Sequence, residues 1–116
     1  MTPSTRPPYA SASCEVHRNF GPKGVHGCVT LEFERAVAFT FSSSVAWPVG
    51  ENLDPTVEQS VREALRQMPV AHAYACRLVA IKWHAVDSCA SGFAMAASHA
   101  TRAAVEQLPS KDPGAA

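Results

Sequence analysis

The sequence predicts an α+β two-layer sandwich: a small mixed or antiparallel β-sheet with two α-helices packed on one face. Three observations carry that prediction. Apolar residues recur with a two-residue period in stretches near 25–33, 37–41 and 72–83. Helical apolar spacing follows the second and the third of these. The chain has 116 residues, 47% of them apolar and 17% charged, enough for one domain with a modest core.

Residues 1–13 are rich in Pro, Ser and Thr and read as a flexible N-terminal arm, with 14–108 as the folded domain and 109–116 as a flexible C-terminal tail. In the first strand Val25, Gly27, Val29, Leu31 and Phe33 alternate with His26, Cys28, Thr30 and Glu32. One apolar face and one polar face describe a half-buried strand. Val37, Phe39 and Phe41 continue the pattern in a second strand, with Glu34-Arg35-Ala36 as the connection. Asp54-Pro55 opens a helix, Asp54 as the N-cap and Pro55 in the first turn, where its missing N–H costs nothing. Val57, Val61, Ala64, Leu65 and Met68 form the apolar side, and Pro69 ends the element. From 72 to 83 both alternating sets carry apolar residues, which predicts a central strand. Asp87 or Ser88 then caps a second helix whose buried positions are Phe93, Ala97, Ala100, Ala104 and Leu108.

Composition narrows the function classes. The formal net charge is zero, so any nucleic-acid contact rests on a local patch. Cys14, Cys28, Cys76 and Cys89 form no C-x-x-C pair, and the N-terminal residues are not a signal peptide, which predicts a cytoplasmic protein with reduced thiols. No apolar run approaches the roughly 20 residues that span a bilayer, so no membrane partner is expected.

The glycine loop Gly21-Pro22-Lys23-Gly24-Val25-His26-Gly27 leads into a strand and is not a P-loop, so no nucleotide and no cofactor are expected. Gly21, Gly24 and Gly27 read as residues shaping a turn that needs positive φ. Cys14-x-x-His17 and His26-x-Cys28 offer four ligand types, but their spacing is unlike a zinc knuckle, and no metal is expected. Cys89 near His84 and Asp87 suggests an activated thiol. Asp87 is already explained as a cap, however, and catalytic partners usually lie far apart in sequence. A non-enzymatic role is therefore expected. Arg18, Lys23, Lys82 and His84 flank the predicted loops with Phe20 and Trp83 interleaved, a pattern suited to phosphate contact and base stacking.

Four segments, in order, resemble domain IV of elongation factor G and related translational GTPases. The family's G-G-R-G-Q-Y-G loop is similar to Gly21 through Gly27, and the strand after it is similar to Cys28-Val29-Thr30-Leu31-Glu32-Phe33. Its I-P-A-V-E-x-G-V-x-E-A-L helix is similar to residues 54–65. Its H-x-V-D-S-S-E-x-A-F-x-x-A-A-S segment is similar to residues 84–98, which open His84-Ala85-Val86-Asp87-Ser88-Cys89.

The resemblance implies that family's sandwich with a left-handed β-α-β crossover. It also implies a non-catalytic module without GTPase activity, acting in translation on the ribosome or structured RNA. By position it implies RNA contacts at Lys23, His26 and His84 on the tip loops, where the residue pattern adds Lys82 and Trp83, with the helix holding the tip capped by Asp87 and Ser88. The departures are definite: the tip loop before His84 is shorter, Pro22 replaces a glycine, Val25-His26 replaces Gln-Tyr, and the family's closing strand has no counterpart. A missing closing strand leaves a second reading open, a protein-interaction module that forms homo-oligomers through an open sheet edge.

Overall fold

The computed structural model describes residues 9–20, 23–68, 73–84 and 88–107. It is an α+β sandwich of four strands and two helices, in the order β1 (Tyr9–Phe20), β2 (Lys23–Ala36), β3 (Thr40–Ser43), α1 (Asp54–Gln67), β4 (Ala73–Lys82) and α2 (Ala90–Gln107). The sheet order is β1-β2-β4-β3; β3 runs parallel to β4 and the other pairs are antiparallel.

Alternation in β2 decides which face is buried. Val29, Leu31 and Phe33 are fully buried, while Thr30, Glu32 and Glu34 lie on the opposite face. Their partners follow the same rule: Leu31 faces Leu78 and Phe33 faces Cys76 on β4. Onto this face α2 lays Phe93, Ala96, Ala97, Ala100 and Ala104, all without exposed surface, and α1 adds Val57, Val61 and Ala64. Alanine at the contact lets the α2 backbone sit close to the sheet while favouring helix. On the other face Arg77 donates to Glu32 (3.2 Å) and Glu34 (2.8 Å), and Ser13 meets Thr30 at 2.7 Å.

The strand order departs from the expected strand-strand-helix-strand-helix. Tyr9–Ser13, expected in the loose arm, belong to β1, which pairs residue for residue with β2 from Tyr9↔Glu34 to Phe20↔Lys23. Small Ala and Ser side chains carry little intrinsic strand preference; pairing along a whole neighbouring strand supplies what propensity does not. The expected connection 34–36 is the end of β2. Of the strand expected around 37–41, only Thr40 and Phe41 fall in β3, which runs on to Ser43 and pairs with β4. Val37 is accordingly fully exposed. The stretch β3-α1-β4 forms a parallel crossover unit.

β4 is central, as expected, but for a different reason. One residue is inserted near Val79, so that Thr30 pairs with Ala80 and Leu31 with Leu78. A β-bulge of this kind shifts the alternation. Tyr74, Cys76 and Leu78 point inward before it; Ile81 and Trp83 pack on the core after it. The mixed pattern of 72–83 is thus one buried face with a phase change.

Asp54 is the first helical residue of α1, not its cap. Leu53 occupies the N-cap position without a side-chain bond, and the Asp54 carboxylate instead accepts the Trp47 indole N–H at 2.8 Å. Neither Gly24 nor Gly27 has positive φ; among the described residues only Gly50 does. Gly27 is needed for another reason. A Cβ there would overlap the backbone of Gly92 and Phe93, and a Cβ on Gly92 would overlap the His26 carbonyl. The start of α2 crosses β2 glycine on glycine. Gly21, Pro22, Asp87 and both termini (1–8 and 108–116) lie outside the described residues.

Candidate functional site

The crossing of α2 over β2 brings together residues far apart in the chain. Cys89 N–H donates to the His26 carbonyl (3.3 Å), and Ser88 forms a bridge with His26. The His26 side chain, 4% exposed, is then enclosed where β1, β2 and the loop before α2 meet. Its Nε2 lies 2.8 Å from Glu15 Oε2 and its Nδ1 lies 2.9 Å from Ser88 Oγ. Ser88 Oγ also accepts the His84 backbone N–H at 2.7 Å. A neutral ring protonated on Nε2 satisfies the whole chain: it donates to Glu15 and accepts from Ser88. His17 and His84 stand beside it, with ring centroids 5.7 and 5.6 Å from His26 and 6.1 Å from each other. The hydrogen bond from His26 holds the Glu15 carboxyl below its ordinary value, and the nearby Lys82 and His17 charges act in the same direction.

A Glu–His–Ser chain invites comparison with a hydrolase, and the geometry answers it. The Ser88 and Cys89 N–H groups, which would have to receive an oxyanion, already donate to the His84 and His26 carbonyls. These two backbone donors are therefore engaged within the fold. Burial pushes the Cys89 thiol up, but hydrogen bonds from Ser91 and from the backbone N–H groups of Gly92, His26 and Ser91 outweigh it and bring the thiol below its usual value. Cys89 directly precedes α2 and its carbonyl accepts the Phe93 N–H at 3.1 Å, so it occupies the capping position expected of Asp87 or Ser88; the Ser88 hydroxyl is spent on His26 and His84. All four cysteines are free, and burial pushes Cys76 up to about 12. As the side chains stand, the described His, Cys, Asp and Glu residues form no group of three or more placed to hold a metal ion.

Of the tip residues expected from sequence, Lys82 and His84 are exposed at the end of the sheet where β1 ends and β2 begins. Lys23 opens β2 at the same end. His26 is a buried hub and not a surface contact. Trp83 is half-buried and stacks on Phe93, with centroids 5.6 Å apart and planes 20° apart, so one of its ring faces is taken by the core. Glu15 was missed by sequence reasoning, and His17 was weighed only as a metal ligand. Their i, i+2 spacing would have marked one face of a strand had 14–20 been read as one. Arg18 is exposed beside them.

The sequence matches no protein-family model and no curated protein. The fold is similar to the crystal structure of ttk003000868 from Thermus thermophilus, with a TM-score of 0.78 and 20% sequence identity over 89% of this chain. The match spans 16% of that longer chain. At this identity the likeness speaks for the fold. Among the described residues no helix is long and apolar enough to cross a membrane.

Proposed function

We propose that this domain is a non-catalytic module of the cytoplasm that associates with structured RNA, the ribosome foremost, through the end of the sheet where β1 ends, β2 begins and β4 ends. The observation that carries the reading is the gathering of Arg18, Lys82 and His84, with Lys23 at the start of β2, at one end of a chain whose net charge is zero. A local cationic end is what phosphate contact needs when no global field exists. The ordered resemblance to domain IV of elongation factor G supports the same end as the contact surface. The spent N–H groups at Ser88 and Cys89 favour a scaffold over a catalytic centre.

The test is co-sedimentation with ribosomes across a salt series. Binding is expected to weaken as salt rises, and Lys23→Ala or Lys82→Ala is expected to lower the slope of log K against log salt by about 1 each if each residue meets a phosphate. His84→Ala is expected to reduce binding while a cooperative melt shows that the domain stays folded, because its side chain is exposed. Absence of association at every salt concentration overturns the proposal.

A further inference from the structure

We infer, independently of the RNA reading, that the free edge of β1 pairs with the same edge of a second copy of this chain, antiparallel and centred on Val16. β1 is an outer strand of the sheet, and among the described residues nothing pairs with its far side. It is 12 residues long and pairs with β2 without a register shift. Sheet edges are normally protected by shortness, proline, lysine or a bulge. The other outer strand, β3, is protected by shortness, with 4 residues. β1 has none of these devices: it contains no Pro and no Lys, and its only charged residues are Glu15 and Arg18.

The structure also says which part of the edge is open and in what register it closes. Gln107, at the end of α2, donates to the Ser11 carbonyl at 3.3 Å. That bond clasps the first third of β1. It also marks the odd-numbered residues as those whose backbone groups turn outward, because N–H and C=O of one strand residue point the same way. The open length begins at Ser13. A two-fold axis through Val16 pairs Glu15 with His17 of the second copy and His17 with its Glu15. Facing residues then share a face of the joined sheet, as they must. The Glu15 side chain keeps 52% of its surface exposed after bonding to His26, so it can meet an opposing imidazole. Val16 meets Val16 on the helix side. The product is an eight-stranded sheet with all helices on one face and the two cationic ends at opposite poles.

The experiment is analytical ultracentrifugation of the full chain over a wide concentration range, with four variants. The wild type is expected to dimerise, and the amides of Ser13, Glu15 and His17 are expected to gain exchange protection with concentration. His17→Glu places like charges opposite each other twice and is expected to weaken the dimer about tenfold, with circular dichroism checking that the variant stays folded after the loss of the His17 ring contacts to His26 and His84. Ser13→Pro removes an outward N–H and is expected to give a folded monomer, checked by circular dichroism. Val16→Cys is expected to form a disulfide between copies on mild oxidation. The native Cys14, opposite Arg18 of the second copy in this register, is expected to form none, and Cys14→Ser should leave cross-linking of Val16→Cys unchanged. A wild-type chain that stays monomeric at every concentration overturns the inference. So does a dimer that survives both His17→Glu and Ser13→Pro, or one cross-linked through Cys14.

Discussion

His26 joins three chain segments through one ring: β1 through Glu15, β2 through its own backbone, and the loop before α2 through Ser88. Removing it empties a buried position and leaves the half-buried Ser88 hydroxyl without its partner, so the cost exceeds that of a surface hydrogen bond. His26→Ala is expected to lower stability by about 1–3 kcal/mol in urea unfolding and to speed exchange of the first-turn amides of α2. A variant as stable as wild type would reduce the hub to a surface contact. Glu15 supplies a pH test. Its folded-state carboxyl lies below the ordinary 4.5, chiefly through the His26 hydrogen bond. The unfolded chain therefore takes up this proton first as pH falls. The contribution of Glu15 is complete above 4.5 and disappears as pH drops through the lower folded-state value. The stability difference between wild type and Glu15→Gln should be largest near neutrality and close below that range; a difference that widened with acid would contradict the pairing. None of this was legible in the sequence. His26 alternates with apolar residues and so reads as solvent-facing, and its two partners sit 11 and 62 residues away.

At the scale of elements, the decisive contact is α2 crossing β2 at Gly27 and Gly92. The sequence shows both glycines but suggests the wrong reason for the first, a turn, because nothing local announces a close backbone approach. Two effects compete in Gly92→Ala. Alanine favours an exposed helix interior by about 1 kcal/mol, but here its Cβ would overlap the His26 carbonyl. Backbone cannot rotate aside as a flexible side chain can, so the clash prevails and a net loss of about 1–3 kcal/mol is expected in thermal unfolding. A more stable variant would show that the crossing is looser than described. The bulge in β4 gives a different kind of test. With Val79 deleted, Leu78, Ile81 and Trp83 would still alternate inward with Ala80 and Lys82 outward. The deletion is expected to keep the fold, read from its far-UV spectrum and cooperative melting, whereas deleting Cys76 would turn the start of the strand inside out. The helices were legible because their apolar stripes are long. α1 buries Val57, Val61 and Ala64 as its spacing implies, and α2 buries Phe93, Ala97, Ala100 and Ala104. β1 was not, because alternating Ala and Ser carry little contrast between faces.

For the whole molecule, the layers are fastened at one place by aromatic rings. Trp47, from the loop between β3 and α1, packs edge-on to Phe93 with centroids 5.1 Å apart and lies 6.2 Å from Trp83 at the end of β4. Phe93 itself has no exposed surface. The cluster therefore spans the sheet, α2 and the segment leading to α1, and the Trp47–Asp54 hydrogen bond ties it to the first turn of that helix. Both tryptophans of the chain sit in it. If the sandwich unfolds as a unit, tryptophan fluorescence, which sees only this cluster, and far-UV circular dichroism, which sees every helix and strand, must give the same midpoint and slope in urea. Phe93→Ala removes the ring that both tryptophans touch. It is expected to cost about 3–5 kcal/mol and to move both transitions together to lower urea. Fluorescence changing first while the dichroism holds would mean that the aromatic cluster loosens as a local unit. In that case the end of β4, and with it the loop presenting His84, would open without the rest of the fold. Coincident transitions would instead show that the tip is held as firmly as the core beneath it, which is the property a rigid contact surface requires.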